Sequence, residues 1–165
     1  MKKILYVTRD KEWQLIQQLS TTVNNSNFNP KDTCLLMVSP DYSATVAMHL
    51  AHAWSIDGEM LPIIPVEVPY PDESSDTFIH SMSQLHEIKN YKKVVLVEAG
   101  IIRGGNWKWI LQVLSDFGFD RKDITLVTMY ENISSITKSD YVAEYYDAEK
   151  EDLTFYYERY NKHWD

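Results

Sequence analysis

The sequence predicts an α/β protein of three layers, in which helices cover both faces of a mostly parallel sheet. Apolar segments rich in valine, isoleucine and leucine alternate with segments whose apolar residues recur at helical spacing. Two apolar segments, residues 34–38 and 94–97, have no polar residues at alternate positions, which is typical of strands buried on both faces. With 165 residues, the chain is predicted to form a single domain over residues 1–165.

The first half of the chain predicts two strand–helix units and a third strand. Residues 4–7 predict a strand, and apolar residues at helical spacing predict a helix over residues 11–23. The apolar run 34–38 is followed by a turn at residues 39–42 and by a helix whose small residues allow close packing on a sheet. Residues 60–68 predict a third strand, and its prolines, which lack N–H donors, place it at an edge.

The second half continues the alternation of strands and helices around a central strand. In chain order it predicts a helix over residues 78–88, the central strand over 94–97, a helix that carries Trp107 and ends at Gly118, a strand over 123–130, a polar turn over 131–138 and a brief strand over 141–143.

The C-terminal segment, from about residue 144, is aromatic and acidic and has no clean period. It is too aromatic for a disordered tail. We therefore expect it to dock on the body of the domain or on a second subunit, which leaves a homodimer open.

Charge and composition exclude several classes of function. The formal net charge of −8 would repel a nucleic-acid backbone, so no nucleic-acid partner is expected. Cys34 is the only cysteine, which rules out an intrachain disulfide and a cysteine-based metal cluster. The apolar run at residues 4–7 is too short for a signal-peptide core or a membrane span. We expect a cytoplasmic protein without a membrane partner.

The central stretch, residues 93–107, predicts an anion site. An apolar strand leads into a loop with a Gly-Gly pair, and a helical pattern begins directly afterwards. Amides at a helix N-terminus carry a partial positive charge, and Arg103 adds a counter-charge for a phosphate. Because ligands of parallel sheets bind beyond the C-terminal ends of the strands, residues 39–43 and 98–106 are expected at the same rim. An ordinary strand-to-helix turn is the alternative.

The order of the elements and this central stretch resemble the type I phosphoribosyltransferase family. In that family an apolar strand is followed by two acidic residues, a short Thr-Gly loop and a helix. Its loop cradles the 5-phosphate of phosphoribosyl pyrophosphate, and its acids hold the ribose hydroxyls. Here Glu98 matches the first acid and Gly104 matches the loop glycine. The resemblance implies that Glu98 takes the ribose hydroxyls, while Arg103, Gly104, Gly105 and Asn106 bind the phosphate.

The resemblance extends to both sides of the central stretch and covers roughly residues 32–147. Ser39 and Asp41 lie where the family has its pyrophosphate loop. The sequence Asp140-Tyr141-Val142 is similar to the Pro-Asp-Tyr-Val segment that contacts the base in purine salvage members. These residues are therefore implied to contact pyrophosphate and base, respectively.

Departures from the family pattern concern its reaction. The second acid is replaced by Ala99, which cannot hold a hydroxyl or help to place Mg²⁺. Ile102 occupies the position of the family's base and cannot accept a proton. Arg103 and Asn106 replace loop threonines. We expect a transferase activity that is reduced, altered or lost, and binding of Mg²⁺ stays open.

Three readings of the function follow. The first is a phosphoribosyltransferase-like protein that binds a phosphorylated ribose or nucleotide at residues 94–107. The second is a non-catalytic protein–protein interaction module of the same fold. The third is another Rossmann-like nucleotide binder with its site at residues 8–10, which lacks a glycine fingerprint. His49 and His52 lie three residues apart on one predicted helix, but no third ligand lies nearby, so no metal site is predicted.

Overall fold

The computed structural model describes residues 2–26, 28–38, 40–66 and 85–156, with the backbone alone for residues 40–42. In chain order its elements are β1 (Lys3–Val7), α1 (Arg9–Thr22), β2 (Thr33–Val38), α2 (Pro40–Ala53), β3 (Ile63–Val66), β4 (Lys93–Ile101), α3 (Gly105–Asp116), β5 (Ile124–Asn132), β6 (Tyr141–Tyr146) and β7 (Glu151–Phe155), with short 3-10 turns at His86–Asn90 and Arg121–Asp123.

The main sheet has five parallel strands in the order β3-β2-β4-β5-β6. The strand β4 is at its centre, and residues 94–99 of β4 are all buried. This explains the continuous apolar run, since a strand covered on both faces needs apolar residues at every position. The strand β3, which contains Pro65, lies at the edge as predicted.

Helices cover the sheet on both faces. The helices α1 and α2 pack on one face, in a core with Val95 and Val97 of β4. The helix α3 packs on the other face, where it meets Val94 and Leu96. The alternation of side chains along β4 thus supplies one core residue to each layer in turn. The predicted three-layer α/β architecture is confirmed.

A second, two-stranded sheet pairs β1 with β7 in parallel register, from Lys3 opposite Glu151 to Val7 opposite Phe155. The sequence did not predict β7, because its acidic residues interrupt any apolar run. This small sheet packs directly on β4: a Cβ atom added to Gly100 would lie 2.9 Å from Cδ2 of Leu153. The C-terminal segment therefore docks on the body of the domain over residues 151–155.

The strands are longer than predicted at the C-terminal edge of the sheet. The strand β4 does not end at residue 97, because Glu98, Gly100 and Ile101 continue the ladder with β5. The strand β5 likewise runs on to Asn132, into the predicted turn. Glu98, predicted to follow the strand, is thus a strand residue.

Two helix predictions also change. The helix α2 begins at Pro40 rather than after Ser43. Most of the helix predicted over residues 78–88 lies outside the described residues, and its end is part of the 3-10 turn His86–Asn90. Within the described residues, every helix is too short or too polar to cross a bilayer.

Candidate functional site

The candidate site lies at the C-terminal edge of the sheet, where β4 passes into α3. The connecting loop consists of residues 102–104, so the turn is tighter than the predicted loop over 98–106. The neighbouring connection from β2 to α2 is a single residue, Ser39, which lies outside the described residues. Asp41 follows in the first turn of α2. The Ala99 N–H donates a 3.1 Å hydrogen bond to Ser43 Oγ, which ties the start of α2 to β4 beside Glu98.

Gly104 fixes the shape of this loop. Its φ of 77° is in the left-handed region, which residues with a side chain rarely adopt. A Cβ atom at this position would lie 2.5 Å from Ser135 Oγ and 3.0 Å from the backbone N and O of Thr137. Both the backbone conformation and the close approach therefore require glycine at residue 104.

The carbonyl groups of the turn point toward the segment that follows β5. The Ile101 carbonyl accepts from the Tyr146 hydroxyl at 3.4 Å, and the Ile102 carbonyl accepts from Asn132 Nδ2 at 2.7 Å. The Arg103 carbonyl accepts from the backbone N–H of Ile136 at 3.1 Å. These bonds fix the backbone direction of the turn.

The first N–H groups of α3 are hydrogen-bond donors without acceptors among the described residues. Gly104 caps the helix without a side-chain hydrogen bond, and the first bond of the helix runs from the Lys108 N–H to the Gly104 carbonyl at 3.2 Å. The N–H groups of Gly105 and Asn106 have no acceptor among the described residues. The first turn of α3 contains no acidic residue of its own, so its N–H groups keep the partial positive charge of a helix N-terminus.

Arg103 adds a positive charge beside these donors. The residue is exposed, and no carboxylate of the described part of the chain forms an ion pair with it. A phosphate accepts several hydrogen bonds at once, and an arginine side chain and free backbone amides are both donors that suit it.

Glu98 carries an unusual carboxyl group. The residue is only 7% exposed, and burial raises the pKa of its carboxyl group from 4.5 to about 7. Asn106 Nδ2 donates to Glu98 Oε1 at 3.3 Å, which partly offsets this shift. The structure thus brings together Glu98 and Asn106 across the loop, with Arg103, Gly104 and Gly105 between them in sequence.

Trp107 anchors α3 rather than filling the turn. Its side chain is fully buried in the core under α3, and its Nε1 donates to Ser139 Oγ at 3.2 Å. The indole therefore ties the helix to the segment between β5 and β6 and does not occupy the turn.

Asp140 and Tyr141 do not join this group. The Asp140 carboxylate accepts from the Leu126 N–H at 2.8 Å and from Arg121 Nη2 at 2.6 Å. Tyr141 starts β6 opposite Val127, which precedes the row of Glu98. Because β6 begins opposite Val127, Asp140 and Tyr141 lie on the N-terminal side of the row of residues that contains Glu98.

Val142 is the third residue of the predicted base-contact segment. It pairs with Thr128, which in turn pairs with Glu98, so Val142 occupies the row of Glu98 two strands away. It is therefore nearer the C-terminal edge than Asp140, but a full strand separates it from the Glu98 carboxyl group.

A buried carboxylate that the sequence did not single out organises the segment against Gly104. Glu131 is fully buried, and its Oε1 lies 3.2 Å from Lys138 Nζ. Its Oε2 accepts from the backbone N–H of Ser139 at 2.8 Å. The sequence assigned residues 131–138 to a polar turn, because an acid after an apolar strand gives no local sign of burial.

Among the described residues, the stretch 98–106 at this edge offers Mg²⁺ the single carboxylate of Glu98. Glu98 offers one carboxylate, and the neighbouring position of the family's second acid is Ala99, whose N–H is bonded to Ser43. No group of three or more His, Cys, Asp or Glu side chains among the described residues is placed to hold a metal ion. A protein-bound Mg²⁺ usually needs carboxylate ligands in addition to phosphate oxygens.

Comparison with known proteins identifies the fold. No family model matches the sequence, and no curated protein matches it. A purine phosphoribosyltransferase from Pyrococcus horikoshii superposes with a TM-score of 0.65 at 16% identity, over 94% of this chain and 93% of the other. The xanthine-guanine-hypoxanthine phosphoribosyltransferase of Helicobacter pylori gives a TM-score of 0.62 at 14% identity, over 95% of both chains.

A third structure is a hypothetical protein from Neisseria gonorrhoeae with bound ppGpp. It superposes with a TM-score of 0.69 at 17% identity and covers 98% of this chain and 96% of its own. The chain therefore has a phosphoribosyltransferase-like fold, and the resemblance noted in the sequence is confirmed at the level of the fold.

Proposed function

We propose that the protein binds a phosphorylated ribose or a nucleotide at the turn between β4 and α3. Arg103 and the N–H groups of Gly105 and Asn106 bind the phosphate, Gly104 holds the turn in shape, and Glu98 receives the ribose hydroxyls. The observation that carries this proposal is the pair of N–H groups without acceptors at the start of α3, next to an arginine without an acidic partner.

The proteins with similar structures support this class of ligand. Two of the similar structures are purine phosphoribosyltransferases, and the third carries ppGpp. Phosphoribosyl pyrophosphate, the substrate after which such enzymes are named, and ppGpp both combine a ribose with phosphate groups. We therefore propose purine nucleotides as the first ligands to test, with GMP, ppGpp and phosphoribosyl pyrophosphate as probes. A cytoplasmic location agrees with this choice.

Transfer of the phosphoribosyl group is proposed to be reduced, altered or lost. The position of the second acid is Ala99, which is buried on the opposite side of β4 in the core under α1 and α2. Ile102, at the position of the family's base, offers no proton acceptor. Incubation with phosphoribosyl pyrophosphate and a purine base, with and without Mg²⁺, should release pyrophosphate at the background rate. Rapid release would contradict a lost reaction while leaving the binding proposal intact.

Substitution of Arg103 by alanine should weaken GMP binding about tenfold or more, because a charge-assisted hydrogen bond to phosphate contributes on the order of 1.5–3 kcal/mol. Titration calorimetry measures the affinity. Lys108→Ala removes an exposed cation one turn into α3 and is the matched control. We expect little change for Lys108→Ala. An equal loss in both variants would indicate a general charge effect, and no heat with wild-type protein would contradict the proposal.

A protein partner at the same edge is the second candidate. Ile102, Ile133 and Ile136 are all more than half exposed there, and the Ile136 N–H bonds to the carbonyl of Arg103, the residue after Ile102. Exposed apolar clusters of this kind are typical of protein contacts. A dimer by light scattering would favour this candidate, whereas a monomer over a wide concentration range would count against a self-association surface.

A further inference from the structure

A second cleft lies between α1 and α2, in the layer on the other side of the sheet from α3. Its volume is about 570 Å³. Arg9, Glu12 and Trp13 line it from α1, His49 lines it from α2, and Tyr156 closes it from the end of β7. The cleft shares no residue with the turn between β4 and α3.

The cleft contains a buried carboxyl group whose hydrogen bonds are incomplete. Glu12 is 2% exposed, and its Oε1 accepts no hydrogen bond from any described residue. The carboxyl group accepts a hydrogen bond from the Tyr156 hydroxyl, yet burial dominates and raises its pKa above 4.5. A buried acceptor without a donor destabilises the folded state, so a ligand that supplies the donor would relieve an existing cost.

The mouth of the cleft has an aromatic wall. Trp13 is 48% exposed although it belongs to the lining, and its ring meets the His49 ring edge to face, with the centroids 4.8 Å apart. This contact holds the indole in place, and an exposed, fixed indole offers a flat surface on which a second ring can stack.

We propose that this cleft binds a small planar ligand whose N–H groups donate to Glu12 while its ring lies against Trp13. Amidinium groups and amino-substituted aromatic rings have this chemistry. The lining carries two acidic residues, Asp10 and Glu12, against the single guanidinium group of Arg9, so a carboxylate or phosphate ligand is disfavoured, and the described residues form no metal-binding group at this position.

Benzamidine tests the proposal, with 2-aminopyridine as the neutral amino-substituted ring and benzoate as the anionic control. Titration of the full-length chain should show benzamidine and 2-aminopyridine binding, with a shift of the Trp13 indole N–H resonance, and no binding of benzoate. The proposal would be overturned if neither benzamidine nor 2-aminopyridine bound, or if benzoate bound as tightly as they do.

Glu12→Gln is the decisive variant. The glutamine carbonyl can still accept from Tyr156, but the negative charge is gone, so benzamidine should bind at least about tenfold more weakly. The same variant should melt at a higher temperature at neutral pH, because burial disfavours the charged carboxylate more than Tyr156 and Arg9 stabilise it, and the loss of binding then has no folding explanation. Glu149→Gln, at an exposed carboxylate, should change neither quantity.

Two results separate this cleft from the nucleotide site. Arg103→Ala should leave benzamidine binding unchanged, since Arg103 does not line the cleft. Unchanged benzamidine affinity in Glu12→Gln would overturn the assignment of Glu12, whatever the outcome of the GMP titrations.

Discussion

Glu98→Gln is expected to stabilise the protein by about 3 kcal/mol at pH 8, since burial raises the pKa of the Glu98 carboxyl group from 4.5 to about 7. The folded state holds this proton more tightly than the unfolded chain does. The free energy of unfolding of the wild-type protein should therefore fall as the pH rises from about 4.5 to about 7, and stay low above that range. Glutamine removes the ionisation and keeps a carbonyl for Asn106 Nδ2.

Urea denaturation from pH 4.5 to pH 8 measures this effect. The difference between Glu98→Gln and wild type should be near its maximum at pH 8 and shrink toward pH 4.5. Glu149→Gln changes an exposed carboxylate and should follow the wild-type curve. Parallel curves for Glu98→Gln and wild type would show that the carboxylate is not buried in solution.

The same substitution should weaken GMP binding. A carboxylate accepts hydrogen bonds from ribose hydroxyls more strongly than an amide carbonyl does, so we expect a loss of about tenfold. Higher stability together with lower affinity would mean that Glu98 is retained for its ligand and not for the fold. Higher stability with unchanged affinity would exclude Glu98 from the ribose contact.

Gly104→Ala is expected to destabilise the protein by roughly 2–5 kcal/mol. Alanine in the left-handed region costs about 1–2 kcal/mol, and the new methyl group must displace Ser135 and the Thr137 backbone, at about 1–3 kcal/mol for an overpacked site. The neighbouring Gly105 provides a matched control, because its φ is not positive and a Cβ atom there meets nothing within 4 Å. Gly105→Ala should change the stability by less than about 1 kcal/mol, in the stabilising direction.

Urea denaturation at pH 7 compares these two variants. A similar stability for both would contradict the described turn. If Gly104→Ala is destabilised as expected, nucleotide affinity at a temperature where it remains folded should also fall, since the turn positions the N–H groups of Gly105 and Asn106.

Much of the fold could be predicted because its signals are local. The β-branched run at residues 94–97 and the helical spacing over residues 11–23 each identify an element from neighbouring residues alone. The length of β4 could not be predicted, because Glu98 and Gly100 resemble strand terminators until β5 is seen to pair with them. The strand β7 depends on β1, almost 150 residues away in sequence.

In the candidate site, too, some features could be predicted from neighbouring residues and others depend on distant parts of the chain. Gly104 and Gly105 look alike in sequence, and only the structure shows that Ser135 packs against the first and open space faces the second. The resemblance implies a base contact for Asp140, which stays a prediction, and only the structure shows that its carboxylate bonds to Arg121 and to the Leu126 N–H. The cleft around Glu12 depends on α2 and on Tyr156, which are distant in sequence, so no local pattern could reveal it.

The most direct test of the nucleotide site is an NMR titration of the isotope-labelled protein with GMP. We expect the backbone amide resonances of Gly105 and Asn106 to shift most, together with the side-chain resonances of Arg103. A phosphate site at the start of α3 would be contradicted if GMP saturated the protein without shifting these resonances. It would also be contradicted if the shifts occurred only along the cleft between α1 and α2.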